Sequence, residues 1–194
     1  MKHLWPALKI FLALTALTGI VYPLAITGIS KLFFPEKAEG SLIDIHGREV
    51  GSSLIGQKFT DPRYFWPRPS TVDYNPLPSG GSNLGPISAT LKSQVDQRRD
   101  ALASALRKSA DDIPRDLLFA SGSGLDPHIS PQAAFVQIDR VAQARGLDDA
   151  SRKKLRGLAV SRVERPDGYF LGQPRVNVLL LNIDVDSAFG EIQP

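Results

Sequence analysis

The chain has 194 residues, 23 Lys+Arg against 20 Asp+Glu and a formal net charge of +3. Lys2, Lys9 and Lys31 are the charged side chains of residues 1–31, so the remaining 163 residues are neutral and lack the basic face that a nucleic-acid binder needs. The 42% hydrophobic content excludes a disordered chain, and the absence of cysteine excludes a disulfide framework, a zinc–cysteine cluster and a catalytic thiol.

Between Lys9 and Lys31 run 21 uncharged residues, ten of them Leu, Ile, Val or Phe. A helix of that length spans about 31 Å, close to the thickness of a bilayer's hydrocarbon core. The apolar run exceeds the roughly 7–15 residues of a signal peptide and lacks a small-x-small cleavage site, so it predicts a retained anchor. Lys2 and Lys9 lie on a flank without acids, whereas Lys31 and Lys37 are mixed with Glu36 and Glu39. The positive-inside rule then puts the N-terminus in the cytoplasm and the larger domain outside. No carboxylate, Lys, Arg or His sits within the span, so the helix by itself offers no ion path. Thr15 and Gly19 would allow a neighbouring helix to approach, as would a small-residue pair in most apolar segments.

The predicted architecture is α+β: an anchor over residues 1–33, then one soluble domain over 34–194. Ser41–His46 and Glu49–Ile55, separated by His46-Gly47-Arg48, predict a hairpin. Residues 56–86 are crowded with Pro, Gly, Ser and Asn and show no periodicity. They carry Phe59, Tyr64, Phe65, Trp66 and Tyr74, which argues for an ordered functional loop. Tyr64, Phe65, Trp66 and Arg68 are residue types favoured at binding hot spots, and equally suit a small core beneath a long loop.

A helix is expected from Pro86 to about Ser109, with Ile87, Leu91, Val95, Leu102 and Leu106 along its apolar stripe. Asp116–Ala120 reads as a short strand. Ser130-Pro131 caps and opens a second helix with Ala134, Ile138, Val141 and Ala142 on one face, ending at Gly146. A third helix covers about 149–162. Phe170–Leu171 and Arg175–Val185 read as strands, with Val176–Ile183 central because it is apolar on both faces.

The phosphate-loop signature G-x-x-x-x-G-K-[ST], the dinucleotide G-x-G-x-x-G, the zinc motif H-E-x-x-H and the potassium-filter TVGYG are all absent from the sequence. With histidine only at 3, 46 and 128, no metal set is expected. Ser79, Gly80, Gly81, Ser82 and Asn83, preceded by Leu77-Pro78, resemble the LSGGQ signature with which ABC transporters hold a nucleotide phosphate. Free glycine amides ahead of a helix N-terminus suit an anion, and a plain turn launching that helix uses the same residues. Ser121, Ser123, Asp126 and His128 suggest a hydrolase, yet a G-x-S-x-G elbow requires glycine at 121, where serine stands. Two tight turns leading into the next helix account for the same residues, and no catalytic residue is assigned.

The strings YFWPRPS (64–70), Tyr74-Asn75, SGGSNLGP (79–86), ASGSGLDPHISP (120–131), RVAQARG (140–146) and RVNVLLLN (175–182), behind one N-terminal anchor, closely resemble the C subunit of the Kdp-type potassium-transporting ATPases along nearly the whole chain. The resemblance implies a non-catalytic accessory subunit of a high-affinity potassium importer in the bacterial inner membrane. Its expected partners are the channel-like potassium-translocating subunit, the P-type ATPase catalytic subunit and a small membrane subunit. Members are described as catalytic chaperones that raise the ATP affinity of the hydrolysing subunit. ATP then acts at the level of the complex, and the chain has no cofactor of its own. The resemblance also marks Gln137 for nucleotide or subunit contact; a solvent-facing residue opposite Ala134 and Ile138 is the plainer expectation. An outer domain and a direct ATP contact through Ser79–Asn83 and Gln137 conflict, because ATP is cytoplasmic. If the domain lies outside, its effect must be allosteric.

Overall fold

The computed structural model describes His3–Gly190 and divides the chain into two compact units, one up to Ser52 and the other from Ser53 onward. In the first unit a continuous helix, α1, runs over Leu4–Phe33 and buries none of its side chains within the chain. Its 30 residues extend about 45 Å, long and apolar enough to cross a bilayer. The turn over Leu17–Val21 widens to a π-helix, and the Tyr22 N–H reaches back to the Leu17 carbonyl. Pro23 explains the widening: its ring crowds the carbonyl four residues earlier and it donates no hydrogen bond. A short helix, α2, follows over Pro35–Ala38. The expected hairpin forms as β1 (Leu42–Ile45) and β2 (Arg48–Ser52), antiparallel, around His46 and Gly47, both with positive φ.

The second unit packs helices around a three-stranded antiparallel sheet of order β3–β5–β4. Its helices are α3 (Ala89–Leu106), α4 (Arg115–Leu118), α5 (Pro131–Ala144), α6 (Asp149–Ser161) and α7 (Val178–Phe189). The strands are short: β3 His128–Ile129, β4 Val163–Glu164 and β5 Arg175–Asn177. The core draws Val95 and Leu106 from α3, Ile138 and Val141 from α5, Leu155 from α6, Val176 from β5 and Leu181 and Val185 from α7. The α+β class is as expected.

Four local expectations are corrected. Helix α3 begins at Ala89, because Ser88 caps it by accepting the Leu91 N–H; Pro86 therefore lies ahead of the helix and not in its first turn, and Ile87 is left outside at 99% exposure. Asp116–Ala120 is not a strand: its first residues lie in the single helical turn α4. Strand β5 ends at Asn177, and Val178 onward is helix. The Asn177 side chain accepts the Leu180 N–H, an N-cap inside an apolar run whose all-round hydrophobicity reflects a buried helix instead of a central strand. Phe170 and Leu171 form no named strand; Leu171 makes an isolated bridge to Asp167.

Candidate functional site

The aperiodic segment 56–86 is held in place by side chains. Phe65 lies in the core at 0% exposure. Its N–H donates to the Asn182 amide oxygen at 2.8 Å, and its carbonyl accepts from the Asn182 Nδ2 at 3.0 Å. Trp66 is treated the same way by Gln137: its N–H donates to Oε1 at 2.8 Å and its carbonyl accepts from Nε2 at 3.2 Å. Two carboxamides, one on α7 and one on α5, thus supply what a neighbouring strand would supply. This lets an irregular backbone enter a core where unpaired polar groups are costly.

Arg140 continues the clamp. Its guanidinium donates to the carbonyls of Pro62 and Tyr64 and to Gln137 Oε1, and lies 3.8 Å from the Trp66 ring centroid. Burial lowers its pKa to about 10, and the Asp61 carboxylate opposes that shift. Arg145 donates to the Arg63 carbonyl and to Asp186, and Asp186 also accepts the Tyr64 hydroxyl at 2.9 Å. The Trp66 indole N–H donates to the Asp61 carbonyl at 3.0 Å. The Asp61 carboxyl is held down at about 2, chiefly by hydrogen bonds from Arg63. Farther along, Arg68 pairs with Asp126 at 2.9 Å, and its carbonyl accepts the Tyr74 hydroxyl at 2.6 Å. Burial, with the Asp73 charge adding, pushes the Tyr74 phenol up to about 12.

Gln137 therefore does not face solvent. It is fully buried, and Nε2 also donates to the Ala133 carbonyl. The spacing 134, 137, 138, 141 carries the signal, since it puts Gln137 on the apolar face of α5. Sequence reasoning missed Asn182, Arg140 and Arg145. Asn182 stands in an apolar run where only a helical period reveals which face it shares, and the two arginines have no spacing that marks them.

Ser79–Asn83 sits elsewhere in the unit, against the Ser121–Gly124 turn. The Gly80 N–H donates to the Ser123 carbonyl at 2.8 Å, and its carbonyl accepts the Thr71 hydroxyl. A Cβ on Gly81 would stand 2.9 Å from the Gly122 carbonyl oxygen. Gly124, at φ +72°, faces the Gly80 carbonyl from the other side. Two loops meet backbone to backbone, and glycine is the residue that permits the approach. The Ser82 hydroxyl accepts the Leu84 N–H, and Asn83 takes a positive φ.

Around the serine-rich turn, Ser123 Oγ accepts the Leu125 N–H at 3.1 Å. His128 turns Nδ1 toward Asp126 at 3.6 Å and Nε2 toward Glu164 at 3.8 Å, so both ring nitrogens face carboxylates. Burial raises the Asp126 carboxyl, but bonds from His128 and Arg68 outweigh it and hold the group below its usual range. The imidazole thereby links the Asp126 carboxylate to Glu164 on β4.

Comparison with known proteins finds sequence similarity over nearly the full length of the chain. Residues 4–187 match the family described as "KdpC: K+-transporting ATPase, c chain". The chain is 51% identical over 191 residues to the potassium-transporting ATPase KdpC subunit of Geobacter sulfurreducens, covering 96% of this chain and 98% of that one. It is 53% identical over 185 residues to the corresponding subunit of Dechloromonas aromatica, covering 94% and 95%. Identity to the Leptospira interrogans subunit is 46% over 186 residues, covering 96% and 94%. The chain belongs to the KdpC family, the c chain of K+-transporting ATPases.

Proposed function

We propose that this chain is a non-catalytic accessory subunit of an ATP-driven potassium importer. Helix α1 anchors it in the bacterial inner membrane with the N-terminus in the cytoplasm and the second unit in the periplasm. Its partners are the potassium-translocating subunit, the P-type catalytic subunit and the small membrane subunit. It has no cofactor of its own, and ATP acts at the level of the complex. The chain raises the ATP affinity of the catalytic subunit through a coupling free energy carried by the membrane subunits.

The observation that supports this reading is that the groups best suited to hold ATP are engaged within the domain. The Gly80 amide is bonded to Ser123, and both ends of the Gln137 carboxamide are spent on Trp66, Ala133 and Arg140. Direct nucleotide binding through Ser79–Asn83 and Gln137 would break those bonds before making new ones. Trp66 and Arg68, half-buried on a rigid loop, are suited to a subunit contact. Phe65 supports that loop from within the core.

The test is co-purification of the tagged full chain from gently solubilised membranes. The reading predicts recovery of a multi-span potassium subunit and a P-type ATPase subunit in constant ratio. Recovery of the free chain alone contradicts it.

A further inference from the structure

Beneath the aromatic loop lies a cleft of about 370 Å³, bounded by Phe59, Trp66, Pro67, Tyr74 and, from α3, Arg98 and Leu102. Its volume falls in the range of preformed binding sites, and its walls are mainly aromatic, proline and aliphatic. Three features make it a site and not a packing defect. The Trp66 wall is rigid: its indole N–H is bonded to Asp61 and its ring is stacked on Arg140. The Tyr74 wall is fixed by its bond to the Arg68 carbonyl. Arg98 contributes a cation whose NH1 donates to the Leu118 carbonyl, and neither the lining nor any described ion pair supplies it with a carboxylate.

We propose that this cleft receives an extended segment of another subunit of the complex, seating an apolar side chain between Trp66 and Leu102 and a carboxylate on Arg98. The proposal rests on the accessory-subunit reading above. Charge complementarity selects the occupant: the cleft has a cation and no anion, so a neutral plug would leave Arg98 unanswered and a basic one would be repelled. A rigid aromatic wall lowers the ordering cost of binding such a segment. Ala101, exposed on the helix side of the cleft, gives access to it without disturbing the core.

In the intact complex, Ala101→Trp fills the cleft and Arg98→Glu inverts its charge. Each lowers recovery of the other subunits with the tagged chain at least tenfold, while Arg98→Lys retains most of it. A photoreactive phenylalanine analogue at position 101 cross-links to a partner segment that carries Asp or Glu beside an apolar residue. Unchanged recovery with both Ala101→Trp and Arg98→Glu overturns the proposal, as does cross-linking to lipid or detergent alone. Circular dichroism melting of each purified full-length variant separates misfolding from lost contact, and a variant that melts like the parent yet still releases its partners counts for the cleft. Failure of the unmodified chain to recover partners would instead refute the subunit reading itself.

Discussion

The two irregular loops of the second unit are immobilised by opposite means. Asp61–Pro69 is held by side chains reaching in from α5, the residue that caps its end, and α7: Gln137 and Asn182 pair its backbone, and Arg140 and the capping Arg145 gather its carbonyls. Ser79–Asn83 is held by direct backbone contact with Ser121–Gly124, at distances only glycine allows. The first device leaves aromatic side chains turned toward a cleft. The second engages the Gly80 amide, one of those a phosphate would need. A polar residue in a core and a glycine pair in a loop both resemble ligand chemistry, and here each answers a backbone hydrogen-bonding demand.

The largest expected effect comes from removing the amide under Phe65. Asn182→Ala leaves a buried N–H and a buried carbonyl unpaired, which should cost about 3 kcal/mol of stability. Equilibrium urea unfolding of the full chain in detergent reads it. A change below about 0.5 kcal/mol would mean that the loop does not depend on the clamp, since such a value marks a site without a special role.

Gly81→Ala sharpens the contrast from the other loop. Its new methyl group meets the Gly122 carbonyl oxygen, so a loss of about 1 to 2 kcal/mol is expected from overpacking. ATP affinity of the assembled pump should fall only as far as assembly falls. A specific loss of ATP affinity with unchanged stability would instead return the glycines to the nucleotide.

A smaller effect concerns acid. The Asp61 carboxyl sits at about 2, below its unfolded value, so its contribution is complete above about pH 4 and disappears as the pH drops through about 2. Thermal melting from pH 5 to pH 2 should show a declining Tm, and Asp61→Asn should flatten part of that decline. An identical slope in the variant would exclude the Asp61–Arg63 bond as a brace for the aromatic loop.

Much of this fold could be read from the sequence where local chemistry decides it. The long apolar helix α1 follows from a charge-free run, the hairpin from His46-Gly47, and α5 from Ser130-Pro131. Val176–Ile183 misleads because an apolar run bounded by Asn177 fits a buried strand or a capped buried helix equally well, and packing chooses. The aromatic loop could be recognised as ordered, but its clamp could not, because Phe65 and Asn182 stand 117 positions apart. Gln137, expected at the surface, is buried on the face its helical spacing shares with Ala134 and Ile138, and its partner Trp66 across the core leaves no local mark.

The most direct test of an outer domain acting on ATP only through its partners is the side of the membrane on which that domain lies. A periplasm-dependent alkaline phosphatase fused after the C-terminal residue should be active, and a fluorescent protein that matures only in the cytoplasm should be dark at the same position. The reverse pattern, a dark phosphatase and a bright fluorophore, would place the second unit beside cytoplasmic ATP and contradict the account.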